Sequence, residues 1–107
     1  MSGDYKEKIE AFRSSCRFYR QNKRMFETTP ENEDNRQHLH YIHDDIMFVE
    51  RMFERIREKC GTGARLILYL LFVEERTQED VAKEYNMTRR QLQYSVRKWL
   101  DSVFESE

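Results

Sequence analysis

From Ile9 to Cys60 the apolar residues recur at alternating steps of three and four, broken only around Pro30. In the first stretch Ile9, Phe12, Cys16, Tyr19 and Phe26 mark the seam, Lys23 fills its one missing position, and Ala11, Phe18 and Met25 widen it at steps of seven. In the second, Leu39, Ile42, Ile46, Val49, Phe53, Ile56 and Cys60 keep the alternation without a gap, with Tyr41, Phe48 and Met52 beside it. A period near 3.5 belongs to a helix and excludes the period of two expected of a strand. The spacing predicts helices over about 4–27 and 33–59, with residues 1–4 frayed. Pro30 lacks an amide donor and pushes Thr29 out of the helical region, so the break falls at 28–32. Two such helices joined by a short loop pack as an antiparallel hairpin at a shallow crossing angle. Their combined apolar width exceeds what one partner covers. The surplus is open to the C-terminal helices of the same chain or, given the sustained heptad patterning, to a second copy in a homodimer.

Gly61-Thr62-Gly63 is a flexible break and the natural hinge. Beyond it, Leu66 to Val73 are eight apolar residues running, which leaves a helix over 64–75 no polar face and buries it on most sides. It is too short to span a bilayer. Residues 77–99 then read as two short helices with a tight turn. Thr77 is an N-cap, and Asp80 three residues on is placed to answer it as the acidic half of a capping box. Val81, Ala82 and Tyr85 share a face, and Asn86 stands where the backbone must turn left-handed to end the helix. Met87 plugs the turn. Thr88 caps the next helix with Gln91 completing its box. Leu92, Val96, Trp99 and Val103 form its apolar stripe, leaving Arg89, Arg90, Gln91, Gln93, Tyr94, Arg97 and Lys98 facing out. A short helix, a sharp turn and a second helix with a basic, amide-bearing face is the helix-turn-helix arrangement for reading DNA.

The run Asn86-Met87-Thr88-Arg89-Arg90-Gln91-Leu92-Gln93-Tyr94, preceded by Thr77-x-Glu79-Asp80-Val81-Ala82, resembles the region 4 helix-turn-helix of sigma-70-type factors. The layout, long polar helices ahead of a terminal helix-turn-helix, is similar to small sigma-like phage regulators of the ArpU type. The match spans about residues 64–104. The resemblance implies that Arg89, Arg90, Gln93 and Tyr94 reach base edges of double-stranded DNA, from a recognition helix over about 89–101. Arg90 departs from the Glu common in the family, and Tyr94 replaces a Gln, so the preferred site is not that of a housekeeping promoter. Thr77, Thr88, Gln91, Arg97 and Lys98 suit backbone contacts that set register. Nothing resembling sigma region 2 is present, so two mechanisms stay open: a dimer on a two-fold site, or contact with RNA polymerase through the hairpin.

Charge complicates this expectation. With 19 basic against 20 acidic residues the net charge is −1, and neither residues 1–60 nor 61–107 form a basic tail. Affinity drawn from phosphates scales with the cations in contact. Placement offsets the total in part, because four cations and no anion lie between Arg89 and Lys98. Arg13, Arg17, Arg20 and Arg24 also share one face, in a stretch (11–26) without an acid. They are suited to phosphate or to an acidic partner, and equally to pairing with Asp45, Glu50 and Glu54 of the second helix, which is the pairing the spacing favours.

His38, His40 and His43 with Asp44 and Asp45 are the one cluster with metal-ligand character. They fall in the first turns of a helix, where polar residues are solvated, and no metal is expected. No Gly-rich phosphate loop, nucleophile elbow or paired His and Cys occurs, so neither a catalytic residue nor a cofactor is assigned. Cys16 and Cys60 lack C-x-x-C spacing and read as buried thiols of a reducing, cytoplasmic compartment. No apolar run reaches membrane-spanning length. The expectation is an all-α chain: a helical hairpin over 1–60, for dimerisation or partner docking, and a three-helix DNA-binding head over 61–107. Its rival is a helical protein-interaction module, anti-sigma-like or inhibitory, favoured by the near-zero charge and the broad apolar hairpin.

Overall fold

The computed structural model describes residues 2–105, with side chains from Tyr5 onward. The described residues form five α-helices and no strand: α1 Ser2–Thr28, α2 Arg36–Cys60, α3 Thr62–Phe72, α4 Gln78–Glu84 and α5 Arg89–Glu105. The all-α expectation therefore holds. Met1 and the side chains of 2–4, on which fraying was expected, lie outside the described residues, and the backbone of 2–4 belongs to α1.

α1 and α2 run antiparallel. Phe26 stacks on His43 near the loop, with ring centroids 5.1 Å apart, and Phe12 meets Phe53 at 5.4 Å toward the other end. α2 starts at Arg36 rather than 33, because two asparagines claim the loop. The Asn32 amide donates to Asn35 Oδ1 at 2.8 Å, the Asn35 amide returns the bond to Asn32 Oδ1 at 2.9 Å, and Asn35 Nδ2 reaches the Pro30 carbonyl at 3.0 Å. Such side-chain bonds compete with helix initiation. The break expected over 61–63 is a single residue. Gly61 sits at φ 102, a left-handed angle natural only to glycine, and Thr62 already belongs to α3. α3 ends at Phe72 instead of 75, closed by a bond from the Glu74 amide to the Tyr69 carbonyl (3.1 Å) and by a left-handed Glu75 at φ 54.

One main core gathers residues from both sides of Gly61. Phe12, Cys16 and Tyr19 of α1 meet Ile46, Val49, Met52, Phe53 and Ile56 of α2, Leu68 of α3, and Leu100, Val103 and Phe104 of α5. The apolar surplus of the hairpin is thus covered in large part by α3 and by the end of α5. Phe12, fully buried, is the hub: its ring lies 5.4 to 6.3 Å from those of Phe48, Phe53, Phe72 and Phe104. A smaller cluster of Ile67, Leu70, Val81, Ala82 and Leu92 joins α3, α4 and the start of α5, and Val96 and Trp99 pack against both. α3 is less enclosed than its eight apolar residues suggest. Leu66 remains 44% exposed and Leu71 and Phe72 half-buried, while Ala64, Ile67, Leu68 and Leu70 are the buried positions. The radius of gyration, 15.4 Å, exceeds the about 13 Å of a compact chain of this length. The excess reflects α1 and α2, each roughly 40 Å long by helical rise.

Burial pushes the Cys16 thiol well above its ordinary range, with the nearby Asp45 carboxylate adding to the shift, while Cys60 is half-buried beside the Trp99 carbonyl at 3.9 Å. Both thiols are free. No helix among the described residues is long and apolar enough to cross a membrane.

Candidate nucleic-acid interface

Four residues, Tyr85 to Thr88, connect α4 to α5, and local bonds fix both ends of that turn. Thr77 caps α4 by accepting the Asp80 amide at 3.1 Å. The Asp80 carboxylate does not close the box: Arg76 takes it at 3.0 and 2.8 Å and also reaches Glu84 at 2.8 Å. Two carboxylates on one guanidinium hold Arg76 firmly charged, with a pKa above its usual range. They also leave Glu79 as the one α4 carboxylate without this cation. Asn86 is left-handed at φ 55, with the Met87 amide on the Ala82 carbonyl (2.8 Å) and the Asn86 amide on that of Lys83 (3.3 Å). This pair of bonds is a Schellman closure, and Met87 supplies its apolar contact by packing beside Val81 and Ala82. At α5 the expected box is complete. The Gln91 amide donates to Thr88 Oγ1 at 3.0 Å and the Thr88 amide to Gln91 Oε1 at 2.9 Å.

The back of α5 is anchored by Leu92, Leu100, Val103 and Phe104, all buried. Every candidate contact residue is exposed: Thr77, Thr88, Arg89, Arg90, Gln91, Gln93, Tyr94, Arg97 and Lys98. Steps of four place six of them in two adjacent rows on the helix, Arg89-Gln93-Arg97 and Arg90-Tyr94-Lys98, each about 12 Å long by helical rise. The major groove is about 12 Å wide and admits such a helix. Tyr94 stands 70% exposed, with its ring presented to solvent between Arg90 and Lys98. Gln91 has its carbonyl oxygen committed to the cap, which restricts it to donating from Nε2.

One residue of the surface was not foreseen. Gln78, the first residue of α4, accepts from both Arg89 Nε (3.3 Å) and Gln93 Nε2 (2.8 Å) through its single Oε1. It braces the first row and ties the two helices at their exposed edge. No periodicity or motif distinguishes Gln78 in the sequence, because its role depends on how α4 and α5 cross.

The arginine face of α1 also departs from expectation. Asp45 is taken by Ser15 (2.8 Å) and Asn22 (3.4 Å), Glu50 by Tyr19 (2.6 Å) and Lys23 (3.9 Å), and Glu54 by Arg57. Two of the four arginines turn instead toward the α3–α4 connection: Arg13 lies over the Phe72 ring at 4.9 Å, and Arg17 pairs with Glu75 at 3.6 Å. The three histidines are dispersed, His43 on Phe26, His40 3.8 Å from Asp44, and His38 at the hairpin groove. Among the described residues no three His, Cys, Asp or Glu side chains are grouped to hold a metal ion. No protein-family model, curated protein or solved structure matches this chain.

Proposed function

We propose that this chain is a sequence-specific, non-enzymatic binder of double-stranded DNA that regulates transcription in the cytoplasm, with α5 seated in the major groove. Its main support is the pair of exposed rows on α5, held on a helix whose back is buried and whose N-terminus is doubly capped. Arg89 and Arg90 present forks that match guanine, and the Gln93 amide matches adenine. Tyr94 would pack against a base edge. Thr77, Thr88, Gln91, Arg97 and Lys98 would contact phosphates and set register. The hairpin is then free to contact RNA polymerase or to pair with a second copy.

Replacing Arg89 by Ala is expected to weaken binding to the preferred duplex by about 1 to 3 kcal/mol and to relax discrimination at one base pair. The fold should persist, since Arg89 is exposed and its one bond is to Gln78. A gel-shift titration measures this, and unchanged affinity would remove Arg89 from the contact set.

A second reading, a helical protein-interaction module, is favoured by a groove on the hairpin. Phe18 (48% exposed) and Tyr41 (72% exposed) flank it, with Met25 and Ile42 at its floor. Such a module would bind duplex DNA weakly and without sequence preference.

A further inference from the structure

Resting on the duplex-binding reading, we propose that α1 carries a second DNA surface: Lys6, Arg13, Arg20 and Arg24 contact the sugar-phosphate backbone of the same duplex whose groove receives α5.

Three observations lead there. The first is alignment. At 100° per residue these four cations and Arg17 fall on one narrow stripe of α1, about 27 Å long by helical rise. That length matches roughly eight base pairs at 3.4 Å each. The second is continuity with α5. Lys6, Ile9 and Arg13 form one wall of a crevice whose other wall is Gln93, Val96 and Arg97, and Tyr5 hydrogen-bonds Asp101 at its end. The α1 stripe therefore begins beside the Arg89-Gln93-Arg97 row and runs on past the α3–α4 connection, where Arg13 meets Phe72 and Arg17 meets Glu75. The stacking of Arg13 on Phe72 and the Arg17–Glu75 pair hold α1 in this alignment. The third is that Arg20 and Arg24 are not neutralised internally, unlike Arg17, which pairs with Glu75. The carboxylates of α2 expected to pair with the stripe are satisfied by other residues, and no acid lies between Ala11 and Phe26. Among the described residues Arg20 and Arg24, both exposed, make no ion pair.

The chemistry of the stripe also selects the partner. Protein interfaces are centred on aromatic and apolar anchors with charge at the rim. The five stripe positions are all cationic and the neighbouring Ile9 is half-buried in the crevice, whereas the exposed Phe18 lies on a different face of α1. A row of cations without anchors fits a regular polyanion, and the duplex already seated on α5 is the nearest one. The stripe also offsets the low net charge of the chain in part: cations of two helices line one crevice, and Asp45, Glu50 and Glu54 of α2 are engaged by other residues.

The test compares the full chain with an Arg20→Gln/Arg24→Gln variant on a duplex enriched from random sequence and long enough to pass both helices. Each phosphate contact contributes about 0.9 to the slope of log affinity against log salt. The variant is expected to show a slope shallower by about 1.8, so the advantage of the wild-type chain should shrink about twelvefold between roughly 50 and 200 mM salt. Helical content, followed by circular dichroism, should not change. An identical slope for the two chains, with the wild type still binding its motif, overturns the α1 surface alone and leaves the stripe to an acidic protein. If the wild-type chain enriches no motif, it is the duplex-binding reading itself that has failed.

Discussion

A Phe12→Ala chain is expected to lose about 3 to 5 kcal/mol of folding stability, the usual range for truncating a fully buried phenylalanine. The upper part of that range applies here. Phe12 is 0% exposed and its ring meets four others drawn from α2, α3 and α5, so the cavity opens where four helices converge and no single side chain can move to fill it. Against a total of 5 to 15 kcal/mol typical of such domains, the loss is a large fraction. At about 4 °C per kcal/mol, Tm should fall by roughly 16 to 20 °C. Trp99, the only tryptophan, lies half-buried against both apolar clusters and reports the transition by fluorescence. A Tm shift of only a few degrees would mean that the four-helix junction is not where the stability resides.

Leu92→Ala is expected to cost about 2 to 5 kcal/mol, with a different distribution. Leu92 is 0% exposed at the centre of the small cluster. α4 packs only on α3 and α5, so this cluster is what holds it to the rest of the molecule. Removing Leu92 should release α4 before it unfolds the hairpin. Amide exchange across Gln78–Glu84 is expected to accelerate about thirtyfold or more, the factor that corresponds to 2 kcal/mol, while α2 amides in the main core change less. Because Gln78 rides on α4, duplex affinity should fall as well, through the loss of its brace on Arg89 and Gln93. Equal acceleration in α2 and α4 would show that the two clusters open as one unit.

Most of this fold is legible in the sequence because it rests on local chemistry. The three-four steps of apolar residues mark α1 and α2, Thr77 and Thr88 announce their caps, and Asn86 takes the left-handed turn its side chain tolerates. These signals act within one or two helical turns and owe little to the rest of the chain. Relations between distant segments are not written that way. α5 runs to Glu105, past the 101 expected of a recognition helix, because Leu100 and Phe104 join the expected Val103 in locking it onto the hairpin. The arginines of α1 are suited to two sets of partners, and the expected pairing with the acids of α2 is not the one formed. Only the crossing of the helices shows that Asp45 and Glu50 are occupied by Ser15, Asn22, Tyr19 and Lys23. Gln78 illustrates the same limit at the candidate site, since an amide gains meaning only from what faces it.

The most direct measurement is enrichment of random duplex DNA on the purified chain, followed by titration of the winning sequence across a salt series. A single motif should emerge, its affinity should exceed that for scrambled duplex by at least two orders of magnitude, and binding should weaken steeply as salt rises. Recovery of no common motif, together with affinity indifferent to both sequence and salt, would contradict a groove-reading α5 and leave the exposed hairpin groove as the working surface.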